Sequence, residues 1–228
     1  MMKHVAIANY DMVLFKYSLK KFRISTLCDI STIMAKVIDI NTHDLQYVVS
    51  LATQSLKSGN IIAVPTDTIY GVAGLAQRND ATSRIYQLKN RDLKKPIAIS
   101  VADIDDVYKW GHVTVSRELL SELLPGPVTV VFTRKEFPGD DSSQVNSEVY
   151  LQEFRELWPM LDLVVDGGML GNTTESRQGS TVVDLSQTGM YRIIRDGSAL
   201  RPTSELLEKH GLKNVKSSDL DAASITDR

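Results

Sequence analysis

Segments with helical hydrophobic spacing alternate with short apolar runs from residue 41 to residue 211, and this alternation restricts the possible folds. The first helix is predicted to begin at Asn41 or Thr42 and to end at Gly59, a residue type common at helix ends. The apolar run 61–64 then stops at Pro65, as a buried strand does. Helices and strands in alternation predict an α/β protein with helices packed on a sheet.

The same reading continues along the chain and gives one domain. Further helices are predicted at 79–89, 116–124, 148–157 and 202–211, and further strands at 96–101, 127–133, 162–165, 181–184 and 191–195. We therefore predict one α/β domain over residues 35–212, preceded by an extension (1–34) and followed by a polar tail (213–228).

The extension is basic and poor in acids, because its first 28 residues carry Lys3, Lys16, Lys20, Lys21 and Arg23 against Asp11 alone. A basic amphipathic N-terminus is typical of a mitochondrial transit segment, although few Arg and Ser are present. The alternatives are an unstructured extension, or a start placed upstream of a true start at Met34. We therefore expect a cytoplasmic protein, with the mitochondrion as a second location.

Composition excludes several classes of protein. The 26 Lys and Arg against 28 Asp and Glu exclude nucleic-acid binding by bulk charge, though not by a local basic patch. Cys28 alone excludes a disulfide framework, and the four scattered histidines offer no close metal-ligand pair. Apolar runs are too short for a membrane span. No Walker-type phosphate loop and no G-x-S-x-G elbow occurs. A soluble intracellular protein is expected.

Two segments carry residues suited to chemistry. Thr66, Asp67 and Thr68 follow the predicted strand 61–64, at the strand end where open α/β sheets place ligands. The alternative is a polar turn closed by its own side chains. The second segment, 84–95, is a cationic cluster that suits phosphate oxygens, or else a solvated helix C-terminus.

Six motifs in order identify a family. They are Pro65-Thr66-Asp67-Thr68-x-Tyr70-Gly71, Lys89-x-Arg91, Lys95-Pro96, Leu124-Pro125-Gly126-Pro127-x-Thr129, Ser180-Thr181-Val182-Val183-Asp184 and Ile194-Arg195-x-Gly197. Over residues 45–212 this series closely resembles the YrdC-domain family.

The resemblance implies a twisted mixed sheet, flanked by helices, around a concave basic cavity. It implies a nucleotidyltransferase that condenses L-threonine, bicarbonate and ATP to threonylcarbamoyl-AMP and pyrophosphate. Mg²⁺ would accompany ATP, with no permanently bound cofactor and no protein metal site. A separate complex would then modify adenosine 37 of tRNA, and direct tRNA contact is a further implied possibility.

The resemblance also assigns roles residue by residue. It implies that Lys89 and Arg91 hold the ATP phosphates and serve catalysis. Lys95 and Arg195 would also lie on the nucleotide side. Threonine would be bound by the three hydroxyl-bearing residues Thr68, Ser100 and Ser180.

One part of the family pattern is not found. After the strand 127–133 the family continues through a G-[IV]-R-[IVL]-P strand, a helix and a T-S-A-N segment, whereas this chain passes through 134–144 to the helix predicted at 148–157. Two strands and a helix, roughly 35–40 residues, are therefore predicted to be missing. We interpret this as a splice isoform or incomplete gene model. The alternative functions are an impaired isoform and a non-catalytic RNA-binding module.

Overall fold

The structure, a computed structural model, describes residues 3–7, 13–14, 35–88, 97–135, 161–170 and 178–215. These residues form twelve strands and five helices. The helices are α1 (Leu45–Lys57), α2 (Asn79–Leu88), α3 (Ile104–Trp110), α4 (Arg117–Leu123) and α5 (Leu200–Lys209). The strands are β1 (Lys3–Ile7), β2 (Val13–Leu14), β3 (Lys36–Asp39), β4 (Ile62–Val64), β5 (Gly71–Gly74), β6 (Ile99–Val101), β7 (Gly111–His112), β8 (Val128–Arg134), β9 (Leu163–Asp166), β10 (Thr181–Asp184), β11 (Met190–Arg195) and β12 (Lys213–Asn214).

The strands form one mixed sheet. Its order is β12-β11-β10-β8-β1-β6-β2-β5-β4-β9-β3, and β7 pairs with β8 outside this path. Parallel pairs occur in both halves of the sheet, as in β10 with β8 and β4 with β9, whereas β6 is antiparallel to both of its neighbours. Together with the helices packed on it, this sheet confirms the predicted α/β fold.

In the half that contains β4 and β5, helices cover both faces of the sheet. Side chains alternate across a strand, so neighbouring residues point to opposite faces. Ile62 packs in one cluster with Val48 of α1, while Ala63 packs in another with Ile85 of α2. Both faces of this half are therefore buried.

In the other half, one large cluster joins the sheet to three helices. Leu120 of α4 and Leu207 of α5 are fully buried against Val130 of β8 and Val183 of β10, and α3 contributes Val107. This cluster holds one face of the sheet, so the polar residues that alternate with its members lie on the other face.

The two N-terminal strands lie at the centre of the sheet. β1 is parallel to β8 and antiparallel to β6, and β2 pairs with β6 and β5. Among the described strands, the path from β8 to β5 runs through β1, β6 and β2, so the two N-terminal strands help to join the two halves of the sheet. The domain boundaries, with residues 1–34 as an extension, remain a prediction, as does the loss of two strands and a helix.

Local capping explains where the helices begin. The amide of Asn41 donates to Asp39 Oδ1 (2.7 Å), so Asn41 closes a turn, and the N-cap of α1 is Asp44, which accepts from the amide of Tyr47 (3.1 Å). The predicted start at Asn41 or Thr42 is therefore wrong by a few residues. Ser116 caps α4 as predicted, because its hydroxyl accepts from the amide of Leu119 (3.2 Å).

Other outcomes concern whole elements. α5 begins at Leu200 rather than Pro202, and β5, α3 and β7 were not predicted. The helix predicted at 148–157 lies outside the described residues. In the described part of the chain, none of the helices combines the length and the apolarity that crossing a membrane requires.

Candidate functional site

The loop 65–70 connects β4 to β5 and is closed by its own second residue. The Thr66 hydroxyl donates to the carbonyl of Ile69 and accepts from the amides of Thr68 and Ile69, both at 3.3 Å. Such side-chain bonds replace the backbone pairing that a short loop lacks. The loop is therefore a self-closed polar turn, as the alternative interpretation of this segment expected, and this conformation sets the position of Thr68.

Thr68 carries a buried hydroxyl group. The residue is 2% exposed, and its Oγ1 atom is buried without a hydrogen-bond partner among the described residues. A buried unpaired hydroxyl costs about 1–3 kcal/mol. A buried hydroxyl of this kind in a loop is suited to bind a ligand.

A second polar group is built from three strands. Ser180, just before β10, is 1% exposed, and its hydroxyl lies 2.8 Å from the hydroxyl of Thr129 on β8. At the end of β11, Arg195 donates through Nη2 to the carbonyl (2.8 Å) and the hydroxyl (3.1 Å) of Ser180. The structure thus brings together Ser180 and Arg195, two of the predicted site residues.

Arg195 keeps its charge available for an anion. Its partners here, the carbonyl and hydroxyl of Ser180, are neutral, and no acidic partner occurs among the residues that the structure describes. Burial lowers the pKa of Arg195, yet an arginine side chain stays protonated in proteins. A partly buried guanidinium that lacks a carboxylate attracts phosphate or carboxylate groups.

Gly179 lies between the loop 65–70 and the group formed by Ser180, Thr129 and Arg195. A Cβ atom built on Gly179 would lie 3.5 Å from Ile69 Cδ1 of the loop 65–70 and 3.6 Å from Arg195 Nη2. Along the sheet β5 and β10 are five strand spacings apart, roughly 24 Å if the sheet were flat. The sheet is therefore curved, and the loop that carries Thr68 approaches the Ser180 group, in agreement with the predicted concave shape.

Ser100 lies on the same face of the sheet as Thr129. Each alternates with members of the large core cluster, Ser100 with Ile99 and Thr129 with Val130. Ile99 of β6 and Val130 of β8 both pair with Val5 of β1. Ser100 and Thr129, their neighbours in sequence, therefore lie level with each other on either side of β1. Two strand spacings place them about 10 Å apart. Ser100 and Ser180 thus belong to one region.

The other predicted site residues, Lys89, Arg91 and Lys95, lie outside the described residues. Their roles therefore stay predictions, as does the basic character of the concave face. In the described part of the chain, no group of three His, Cys, Asp or Glu side chains could hold a metal ion.

Thr129 contacts Ser180, although the sequence predicts no role for it. It belongs to the Leu124–Thr129 motif, and this was the sequence feature that could have identified it as a site residue. Its contact with Ser180 joins residues 51 positions apart, and spacing along the chain does not reveal such contacts.

Gly197 packs against the backbone of Ser180, and replacing it tests this close packing. A Cβ atom on Gly197 would overlap the Ser180 carbonyl carbon and the Thr181 amide nitrogen. We expect Gly197→Ala to lower the free energy of unfolding by about 3 kcal/mol, since backbone cannot yield as a side chain tip does. Urea denaturation measures this. Gly189→Ala is the control. A Cβ atom on Gly189 would have no neighbouring atom within 4 Å, but the residue has φ +73°, so the free energy of unfolding is expected to fall by about 1 kcal/mol. Equal losses would contradict the proposed packing.

Comparison with known proteins identifies the family. The Sua5/YciO/YrdC family model, described as telomere recombination, matches residues 54–140. Threonylcarbamoyl-AMP synthase of Mus musculus is 40% identical over 200 residues, covering 71% of each chain. The Bos taurus protein of the same name is 38% identical over 199 residues, 71% of this chain and 72% of its own. This chain belongs to the threonylcarbamoyl-AMP synthase family.

Solved structures show the same fold as this family member. E. coli YciO matches with a TM-score of 0.52 and 17% identity, over 72% of this chain and 96% of that one. P. abyssi Sua5 complexed with L-threonine matches with a TM-score of 0.52 and 16% identity, over 80% of this chain and 62% of that one. These likenesses support the YrdC-like architecture predicted from the motifs.

Proposed function

We propose that this chain is a threonylcarbamoyl-AMP synthase, which forms L-threonylcarbamoyladenylate and pyrophosphate from L-threonine, bicarbonate and ATP. The observation that carries the proposal is the 38–40% identity to proteins of that name over more than two thirds of their length. The product would supply a separate complex that modifies adenosine 37 of tRNA. A non-catalytic RNA-binding role is not favoured by any described feature.

The described residues suit the amino-acid part of this reaction. The Thr68 hydroxyl, which has no partner among the described residues, and the Ser180 hydroxyl are both buried. Ile69, next to Thr68, approaches Gly179, next to Ser180, so the two hydroxyls are suited to bind polar groups of one L-threonine molecule. Ser100, about 10 Å from Thr129, is assigned to the same substrate. Hydroxyls both donate and accept hydrogen bonds, as recognition of a zwitterionic amino acid requires.

The cations suit the phosphate part. A carbamate oxygen of N-carboxythreonine attacks the α-phosphorus of ATP, forming one O–P bond while the bond to the bridging oxygen of pyrophosphate breaks. Negative charge then grows on the leaving pyrophosphate, and fixed cations stabilise it. We assign Lys89 and Arg91 to the phosphates, with Lys95 and Arg195 on the nucleotide side. Mg²⁺ would accompany ATP and be held mainly by its phosphates, as is common for this ion.

The test measures pyrophosphate release by the full chain with ATP, L-threonine and bicarbonate. Release that stops when either L-threonine or bicarbonate is omitted, with threonylcarbamoyl-AMP detected by mass spectrometry, is the expected result. Release with ATP alone, or no release by a folded chain, contradicts the proposal. Binding of tRNA without ATP, weakened steeply by salt, would instead indicate an RNA-binding module.

The phosphate assignment has its own variants. Lys89→Ala and Arg91→Ala are expected to lose ATP-dependent turnover while keeping the urea midpoint of the parent chain. Full turnover by either variant would contradict the assignment of that residue.

A further inference from the structure

Tyr70 is the last residue of the loop 65–70, and its hydroxyl contacts a turn at the end of β9. The residue is 3% exposed. Its hydroxyl oxygen accepts from the amide of Gly167 (2.8 Å), and its proton faces two acceptors, the carbonyl of Gly168 (2.8 Å) and Asp166 Oδ1 (3.2 Å). One phenol thus binds every residue of the turn 166–168.

The turn is a fixed partner for this hydroxyl. Gly168 has φ +76°, a conformation that favours glycine, and its amide donates to Asp166 Oδ1 (2.8 Å). The carbonyl of Asp166 accepts from the amide of Ile40 (2.9 Å), which ties the turn to the segment after β3. The turn is therefore held by its own side chain and by the sheet.

Both ends of the loop 65–70 rest on this turn. At the first residue, the ring of Pro65 packs so closely on Gly167 that an added Cβ would lie 2.9 Å from Pro65 Cγ. At the last residue, Tyr70 supplies the hydrogen bonds. Thr68, with its unpaired hydroxyl, lies between these two supports.

The buried side chain of Tyr70 reaches this turn. Tyr70 belongs to none of the three core clusters that the described residues form, whereas Tyr191 is a member of the largest. Desolvation by burial raises the pKa of Tyr70 to about 12, further above physiological pH than the pKa of a free tyrosine, and the protonated phenol can donate.

We propose that Tyr70 is a positioning residue, which holds the Thr68 loop against the turn 166–168 and thereby sets the affinity for the amino-acid substrate. This inference rests on the proposed function, because Thr68 is assigned to L-threonine. Tyr70 does not touch the reacting atoms; it acts through the loop.

The matched pair Tyr70→Phe and Tyr191→Phe separates positioning from stability. Tyr191 is as buried as Tyr70 (1% exposed), and its hydroxyl bonds Glu208 Oε1 (3.0 Å) on α5, away from the loop. Each variant loses only a hydroxyl. In the full chain, Tyr70→Phe is expected to raise the KM for L-threonine about 3- to 10-fold, because the loop loses both the hydrogen bond that the hydroxyl donates and the one that it accepts from the Gly167 amide. The KM for ATP and kcat should change less than about twofold. Tyr191→Phe should leave all three constants unchanged.

A readout that needs no activity accompanies the kinetics. Hydrogen–deuterium exchange of the amides in 66–70 and 166–168 should be faster in Tyr70→Phe than in the parent chain, and unchanged in Tyr191→Phe. Unchanged exchange in Tyr70→Phe, or an equal rise of the KM for ATP and for L-threonine, overturns the assignment of Tyr70. A parent chain that releases no threonine-dependent pyrophosphate contradicts the proposed function instead, and the exchange result still decides whether Tyr70 holds the loop.

Discussion

A proline at position 5 is expected to lower the free energy of unfolding by about 3 kcal/mol or more. Val5 lies in the middle of β1 and pairs with Ile99 on one side and Val130 on the other. Proline has no amide hydrogen, and its ring disturbs both neighbouring strands. Since β1 joins β6 to β8, the defect also separates the two halves of the sheet.

Val37→Pro is the matched control, because β3 is the last strand of the sheet path. The amide of Lys36 donates to the carbonyl of Asp162, just before β9 (3.3 Å), and the amide of Ile40 donates to the carbonyl of Asp166, the last residue of β9 (2.9 Å). Because amides alternate in direction along a strand, the amide of Val37 points away from the sheet. A proline is tolerated at such an edge position. Urea denaturation followed by circular dichroism compares the two. If Val5→Pro and Val37→Pro unfold at the same urea concentration, β1 does not occupy the centre of the sheet.

Thr68→Val is expected to change stability and activity in opposite directions. Valine has nearly the shape of threonine, so the substitution removes a buried, unpaired hydroxyl without leaving a cavity. The free energy of unfolding should rise by about 1 kcal/mol, since the folded state no longer buries a hydroxyl without a hydrogen bond. In the same variant kcat/KM for L-threonine should fall about tenfold or more, because the substrate loses a hydrogen bond inside a buried site.

Ser198→Ala provides the comparison for Thr68→Val. The Ser198 hydroxyl is also buried and unpaired among the described residues, yet it follows β11 and has no assigned role. This variant should gain stability while its threonine kinetics stay unchanged. Thermal unfolding and pyrophosphate release measure both quantities. A Thr68→Val chain that is less stable than its parent, or equally active, would contradict a ligand-binding role for Thr68.

Elements with strong periodic patterns could be predicted from the sequence. α4 has Leu119, Leu120 and Leu123 on one buried face and Ser116 at its cap, and it was found as predicted. β8 and β10 are rich in β-branched residues and were also predicted. In these segments the local conformational preference and the pattern of buried residues favour the same element, so packing in the folded protein does not alter the predicted structure.

β5 could not be predicted because its sequence is Gly-Val-Ala-Gly, with little intrinsic strand preference. Its small residues are explained only by packing, since a Cβ on Gly74 would lie 3.1 Å from Ile85 Cδ1 and 3.3 Å from Ala81 Cβ of α2. The close approach of α2 to the sheet requires small residues there. Only the tertiary structure contains that information.

For a similar reason, the motifs indicate only some of the contacts in the candidate site. The motifs selected Ser180 and Arg195, and the structure places them in contact. The hydrogen bonds from Tyr70 to the turn 166–168 span 96 to 98 positions along the chain, and no local pattern reports them. Residue types indicate the chemistry, whereas support between distant segments has to be observed.

The central position of β1 also affects synthesis on the ribosome. β1 is made first, but both of its partners follow about a hundred residues later, since its register runs to Val101 in β6 and to Phe132 in β8. At ~5–20 residues per second, β1 waits several seconds or more for its partners. Contacts this distant in sequence also slow folding after release. The nascent chain therefore exposes an unpaired strand for longer than a sheet built from neighbouring hairpins would, and this interval favours binding by chaperones.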